Sequence, residues 1–303
     1  MIVIITGPTG VGKTALSIDV AQYFNTEIIS GDAMQIYQTM DIGTAKITEE
    51  EAKQVPHHMI DILDPSEAYS VARYQADVRC LIESFKSRDK LPLIVGGTGF
   101  YIKSVVHDFN FDQAYRDDTV EKAYEHLSND TLYQTLQAVD QATANNVHPN
   151  NRKRVIQALN RVDQGAPRSQ QINQEKVVYP YVLIVLTMDR QTLYDRINAR
   201  VSQMFDNGLL EEAKQLYDRG DVSKTASQAI GYKECFAYFD GVLSLDDAKS
   251  LIKQRSRQYA KRQLTYFKHQ FKKSHVLDVT DMSAQDKVTT VIDIIKKAQN
   301  KTS

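Results

Sequence analysis

The sequence predicts an α/β fold: a parallel sheet of P-loop type, flanked by helices and interrupted by an inserted all-helical domain. Three observations carry this. The β-branched run Ile2-Val3-Ile4-Ile5 leads into Gly7-Pro8-Thr9-Gly10-Val11-Gly12-Lys13-Thr14. That octapeptide fits the phosphate-binding pattern G-x-x-x-x-G-K-[ST] at every fixed position, and a helix-like stretch over 15–21 follows it. Short apolar runs at 27–30 and 91–95 then alternate with helical segments, as the strands of a parallel sheet do. From 112 to 175 the strand signal stops and only helical patterns remain.

The chain has 303 residues, enough for two domains, and its pattern predicts an α/β core over 1–111, a helical insertion over 112–175 and the rest of the core over 176–303. Hydrophobic residues make up 42% and charged residues 25%, and no apolar run approaches the ~18 residues needed to span a bilayer. The apolar start runs straight into the phosphate loop without a basic segment, unlike a signal peptide, so a cytoplasmic location is expected. Cys80 and Cys235 lack ligand or redox-motif spacing and are expected to be reduced structural thiols. A net charge of −1 carries no global nucleic-acid signature, so any RNA contact must rest on local patches.

In the loop, backbone N–H groups and the helix's positive end converge on an anion, Lys13 adds a mobile cation, and Thr14 offers its hydroxyl to a magnesium ion. By itself the motif is that of many ATP-binding and other nucleotide-binding proteins. The second strand delivers Gly31-Asp32-Ala33-Met34-Gln35 to a carboxyl end, where open α/β sheets bind ligands. Asp32 there can bind magnesium, accept a proton from a nucleophile, or simply cap a helix. Thr48-Glu49-Glu50-Glu51 reads as an acidic helix start. His57-His58 suggests positioning rather than a metal, because adjacent histidines point apart and no third ligand is spaced to join them.

A helix is expected over 69–86, with Pro65 near its first turn. The strand at 91–95 ends in Gly96-Gly97-Thr98-Gly99, where a motor ATPase would carry a magnesium-positioning Asp. Helices are expected over 118–126, 131–139 and 152–162, then a strand over 177–186. Arg196 and Arg200, four apart on the next helix, share a face and can clamp a diphosphate or form surface salt bridges. Gly208 and Gly220 bracket a short helix, and residues 229–234 form a turn into another. Residues 248–275 hold nine Lys or Arg and no acid, with Ile252, Tyr259, Ala260, Leu264, Phe267 and Phe271 at helical spacing. One face packs and the other is basic, suited to an RNA backbone, an acidic protein or a membrane surface.

The ordered set GPTGVGKT (7–14), SGDAMQIYQTMDIGTAKI (30–47), VPHHMIDILDP (55–65), EAYSVARY (67–74), PLIVGGTGFYI (92–102), HPNNRKRVIQAL (148–159), RINARVSQMFDNGLLEE (196–212), AIGYKE (229–234) and RQYAKRQLTYFK (257–268) resembles the tRNA dimethylallyltransferases, also called tRNA isopentenyltransferases. The resemblance spans most of the chain. It implies transfer of a dimethylallyl group from dimethylallyl diphosphate to N6 of adenosine 37 of tRNA, releasing diphosphate, with Mg2+ as cofactor. Asp32 then matches the catalytic base, Arg200 the diphosphate-contacting arginine, and Lys13 and Thr14 the leaving-group site, with the magnesium on the Thr14 hydroxyl. The implied tRNA contacts are Asp32, Ala33, Met34, Gln35, Thr98 and Arg116. In the insertion, which would meet the anticodon stem, they are Lys153, Arg154, Val155, Ile156 and Gln157. In the turn before residue 234 they are Ser227, Gln228, Ala229, Ile230, Gly231 and Tyr232. The partners are the tRNA anticodon stem-loop and dimethylallyl diphosphate, with no membrane and a monomeric chain. The sequence departs from the pattern at Ala33, where Ser is usual, at Gln157 and Asn160 of the R-A-L-E signature, and at Tyr266, where Trp is common.

Two other readings use part of these features. A small-molecule kinase would employ the loop and Asp32 but not the basic helix. A non-enzymatic RNA-binding protein would employ the basic helix and leave Asp32 idle.

Overall fold

A computed structural model of the chain describes residues 1–109, 111, 124, 126–163 and 176–300. The chain forms two compact units, Met1–Val106 with Val178–Ser303, and His107–Val177. In the first, six parallel strands, β1 (Ile2–Thr6), β2 (Ile28–Ser30), β3 (His57–His58), β4 (Leu93–Gly96), β5 (Tyr181–Thr187) and β6 (His275–Asp278), lie in the order β3-β2-β4-β1-β5-β6. All five residues of β1 are buried, since both sheet faces are covered. Ile2 and Ile4 join the core on one face with Ile29, Ile94, Leu183 and Val185. Val3 and Ile5 join the other with Ile28, Leu93, Val182 and Ile184. This strict alternation is the two-residue period of a strand, and it fixes the register in which the strand ends are delivered.

The sheet's first face carries α3 (Val71–Ser87) and α4 (Gly99–Val106); its second carries α1 (Lys13–Tyr23) and α12 (Ala284–Asn300). Between these fall α2 (Glu49–Ala52), α5 (Asn129–Val139), α6 (Gln141–Ala144), α7 (Arg152–Asp163), α8 (Arg190–Asp206), α9 (Leu209–Arg219), α10 (Tyr232–Phe239) and α11 (Leu245–Gln270). Side chains set the starts: Ser70 caps α3, Thr48 and Glu51 form a capping box on α2, and Asp189 and Ser244 cap α8 and α11. α3 thus begins at Val71, after the expected 69 and well after Pro65, because Asp64 closes a turn onto the Ser66 N–H (2.9 Å) instead of opening the helix. β5 begins only at Tyr181: Val177 makes an isolated bridge to His107, and the carbonyl of Pro180 accepts from the Ile2 N–H.

The second unit has its own core, Leu132, Leu136, Ala144, Val147, Val155, Ile156, Ala158 and Leu159, drawn from α5, α6 and α7. The Arg152 guanidinium donates to the carbonyls of Tyr124 and Leu127 and to Asn129 Oδ1, tying the start of α7 to the chain before α5. Most of the helix expected over 118–126 lies outside the described residues.

Candidate active site

The phosphate loop leaves β1 at the carboxyl edge of the sheet, flanked by β4 and β5, where open α/β folds bind ligands. Gly10 and Gly12 take positive φ angles (82° and 97°), conformations a side chain would resist, and this lets the loop turn into α1. The Lys13 ammonium lies over the loop and donates to the carbonyls of Gly7 (3.0 Å) and Pro8 (2.9 Å), using two of its three protons. Burial pushes its pKa down from 10.5 to about 8; the Asp32 carboxylate opposes that shift and the Arg200 cation adds to it. Burial also lowers the pKa of Arg200, against the pull of Asp32. Two cations held partly out of water form a site that favours an anionic ligand.

Asp32 follows β2, and its Oδ1 accepts the Met34 N–H (2.8 Å). No helix starts there, so its role is not that of a helix cap. The Ala33 N–H donates to Thr98 Oγ1 (3.0 Å), which joins the turn after β2 to the glycine-rich turn after β4. Gln35 Nε2 donates to the carbonyls of Thr44 and Ala45 (both 3.3 Å).

Three adjoining cavities meet at Arg200. A cleft of about 1040 Å³ is lined by Lys13, Thr14, Arg196 and Arg200. A small polar cavity of about 100 Å³ holds Lys13, Thr14, Asp32 and Arg200 together. A third, of about 350 Å³, combines Asp32, Thr98 and Arg200 with the apolar Met34, Ile197, Val201, Met204 and Ile252. An anionic group on the loop side and a flat or apolar group on the other would therefore meet beside the Asp32 carboxylate.

Several expected residues converge here: Thr9, Lys13, Thr14, Asp32, Ala33, Met34, Gln35, Thr98, Arg200 and the 228–231 segment all line these cavities. Tyr232 does not. Its side chain is fully buried and its hydroxyl donates to Glu212 Oε1 (2.5 Å), so it ties the start of α10 to α9. In the second unit Lys153, Arg154 and Gln157 are exposed, whereas Val155 and Ile156 are core residues, as their helical spacing requires. Arg116 lies outside the described residues. Arg196 lines the large cleft but turns one guanidinium nitrogen toward Met188 Sδ (3.9 Å), leaving Arg200 as the arginine shared by all three cavities.

The basic helix α11 also departs from a uniform RNA track. It starts at Leu245, so Asp246 and Asp247 fall in its first turn. Arg255 pairs with the fully buried Glu234 carboxylate, and Arg257 donates to Asn198 Oδ1 (2.6 Å). Lys261, Arg262, Lys268, Lys272 and Lys273 remain exposed. The histidines of β3 part ways: His57, with Nδ1 2.8 Å from the Val55 carbonyl, lines the small polar cavity, whereas His58 Nε2 lies 2.7 Å from Glu27, which Arg88 and Lys90 also engage. Those partners hold the Glu27 carboxyl down at about pKa 2.

Three residues with no assigned role in the sequence reading shape the site. Tyr259 of α11 lines both cavities that contain Asp32. Gln263 of α11 reaches the phosphate loop, and Glu212 of α9 holds the 41–43 loop. Gln263 had a signal in the sequence: it is a polar residue on the apolar stripe between Ala260 and Phe267.

The sequence model of the IPP transferase family matches residues 35–270. Among characterised relatives, the tRNA dimethylallyltransferase of Bacillus subtilis (strain 168) is 52% identical over 275 residues, 88% of each chain. That of Anoxybacillus flavithermus is 49% identical over 272 residues, 89% of this chain and 88% of its own. The full-length tRNA isopentenylpyrophosphate transferase structure from Bacillus halodurans superposes with a TM-score of 0.77 at 43% identity, covering 99% of this chain and 97% of that one. A eukaryotic dimethylallyltransferase acting on tRNA superposes at 0.84 with 29% identity, covering 98% of this chain and 79% of that one.

Proposed function

The chain belongs to the IPP transferase family, the tRNA dimethylallyltransferases, and from that premise we propose how its own residues divide the work. The protein is an enzyme that transfers the dimethylallyl group of dimethylallyl diphosphate to N6 of adenosine 37 of tRNA and releases diphosphate; it is not a small-molecule kinase. The observation that carries the division of roles is the shared cavity in which Lys13, Thr14 and Arg200 face Asp32.

In the reaction the donor's C1–O bond breaks with its electron pair leaving on the diphosphate, and the N6 lone pair forms the new C1–N bond. The adenine amine is a poor nucleophile because its lone pair is delocalised into the ring, so its proton must depart as the bond forms. Asp32 takes that proton: Met34 occupies one of its oxygens and the other is available to accept. At the other end negative charge grows on the leaving oxygen, and loop amides, Lys13 and Arg200 stabilise it as it develops. Positively charged Lys13 and Arg200 interact more strongly with the departing diphosphate than with the bound donor, because its negative charge grows as the C1–O bond breaks, and that difference favours the transition state.

Magnesium fits this arrangement in one way. Among the described residues no group of three or more His, Cys, Asp or Glu could hold a metal. The exposed Thr14 hydroxyl at the start of α1 supplies one oxygen, and donor phosphate oxygens and water would supply the rest, the usual habit of this ion. When bound it would neutralise charge on the departing diphosphate.

For the acceptor, the residues around the third cavity, Ala33, Met34, Thr98 and 228–231, would receive the adenine after it leaves the anticodon-loop stack, at a cost of about a few kcal/mol. Ser227 and Gln35 border them. We assign the exposed Lys153, Arg154 and Gln157 to the anticodon stem together with Arg116, and the polypeptide acts as a monomer. The test is to incubate the protein with unmodified tRNA, magnesium and either labelled dimethylallyl diphosphate or labelled ATP, the label being expected on tRNA from the prenyl donor alone. Asp32→Ala should reduce turnover by about 10²–10⁴-fold while tRNA affinity stays within a few-fold. Near-normal turnover in that variant would overturn the general-base assignment.

A further inference from the structure

The glycines that end β4 make room for particular neighbours. A Cβ on Gly97 would lie 2.0 Å from Gln263 Nε2, and one on Gly99 would lie 2.2 Å from the Tyr266 ring. Both intruders belong to α11, so the glycine turn is the seat of the basic helix. Gln263 is 5% exposed, and both ends of its carboxamide are used. Nε2 donates to the Gly97 carbonyl (3.0 Å), and Oε1 accepts the Thr9 N–H of the phosphate loop (2.8 Å). Thr9 is held a second time through its Oγ1, which accepts from Arg200 Nη1 (3.4 Å). One residue of the phosphate loop is thus fixed by α11 through its backbone and by α8 through its side chain.

We propose that Gln263 is a positioning residue for prenyl transfer: by bridging Thr9 and Gly97 it sets where the phosphate loop stands relative to the turn that carries Thr98. Resting on the reading of the loop as the diphosphate site, this gives a physical role to the glycine-ended strand. In place of an acidic side chain on β4, a carboxamide from α11 links the end of that strand to the loop. An amide suits the place because it must donate in one direction and accept in the other, and no charge is set down beside the incoming diphosphate. Without it the half-buried Thr9 N–H and the buried Gly97 carbonyl lose their partner, and the loop is free to shift away from the geometry that meets the diphosphate.

The experiment uses the full-length protein with unmodified tRNA. The KM for dimethylallyl diphosphate is measured at saturating tRNA, and the tRNA dissociation constant is measured separately. Gln263→Leu should raise the donor KM about tenfold or more with tRNA affinity within about twofold. Gly97→Ala, which pushes the carboxamide out from the other side, should give the same rise, and the double variant should add nothing further. Gln263→Glu keeps the acceptor for Thr9 but cannot donate to Gly97, and should also raise the donor KM; it serves as well if Gln263→Leu fails to fold. An unchanged donor KM in folded variants, a fall in kcat alone, or equal losses toward donor and tRNA would each overturn the assignment, since each is what a purely structural role produces. Failure of the unsubstituted enzyme to prenylate tRNA would instead overturn the functional reading.

Discussion

Lys13 shows how burial gives a residue of ordinary chemistry a particular working range. Its pKa is held at about 8 in the free protein, so it is a cation below that pH and loses its charge above it; in the role proposed above, the charged form is the one that meets the diphosphate. The value of kcat/KM for dimethylallyl diphosphate should therefore fall about tenfold per pH unit above about 8, because this parameter reports free-enzyme ionisations. A flat profile to pH 9.5 would show that Lys13 does not contribute its charge. The stability consequence has the opposite sign. Between about 8 and 10.5 the unfolded chain holds the proton that the folded one has lost, so the Lys13 contribution to stability rises with pH across that window. Replacing Lys13 by Met should accordingly raise the melting temperature at pH 7 while abolishing turnover. The identity of Lys13 was legible because it occupies a fixed place in a contiguous motif. The role of Gln263 was not, although its polar side chain on an apolar stripe marks it, because its partners Thr9 and Gly97 lie 254 and 166 residues away in sequence.

Among the elements, the loop over residues 41–46 connects motifs that look unrelated in the sequence. The Glu212 carboxylate of α9 accepts the N–H groups of Asp41 (2.9 Å), Ile42 (2.8 Å) and Gly43 (3.1 Å), as well as the Tyr232 hydroxyl of α10. Gly43 is packed so closely on the Tyr232 ring that a Cβ would lie 2.5 Å from it. At the loop's far end Lys46 pairs with Asp41 and Asp61. This loop contributes to the walls of all three cavities, so its anchoring shapes each of them. Glu212→Gln offers one acceptor oxygen where the carboxylate offered two, and it leaves loop amides without partners at about 1–3 kcal/mol each. Turnover should fall at least about tenfold, with a lower melting temperature. Turnover within twofold of normal in single-turnover assays would show that the loop holds without Glu212. The sequence placed α9 and α10 correctly as helices because Gly208 and Gly220 bracket the first and the turn at 229–234 leads into the second; it could not show that Glu212, Gly43 and Tyr232 meet.

At the scale of the whole molecule, charge segregation is real but smaller than the cation count of residues 248–275 suggests, because Arg255 and Arg257 are spent on internal partners. The exposed Lys153 and Arg154 in the second unit belong to the same electrostatic argument. If each meets a tRNA phosphate, the slope of log K against log salt for tRNA binding should shrink by about 0.7–0.9 for each one replaced by Ala. A titration that gives parallel salt slopes for the substituted and unsubstituted proteins would remove them from the interface. Among the described residues, no helix is long and apolar enough to cross a membrane.

By itself the sequence determined the parallel α/β core, the phosphate loop, the helical character of the insertion and most of the residues that line the shared cavities. It could do so because strand alternation, helical periodicity and the loop motif are all local, set by neighbours a few positions apart. Only the tertiary structure decided that Arg200 sits where three cavities meet, that Tyr232 turns inward to Glu212, and that Gln263 joins the phosphate loop to the glycine-ended strand. Each of these depends on which distant segments the packing brings within hydrogen-bonding reach, and that is settled by filling the core.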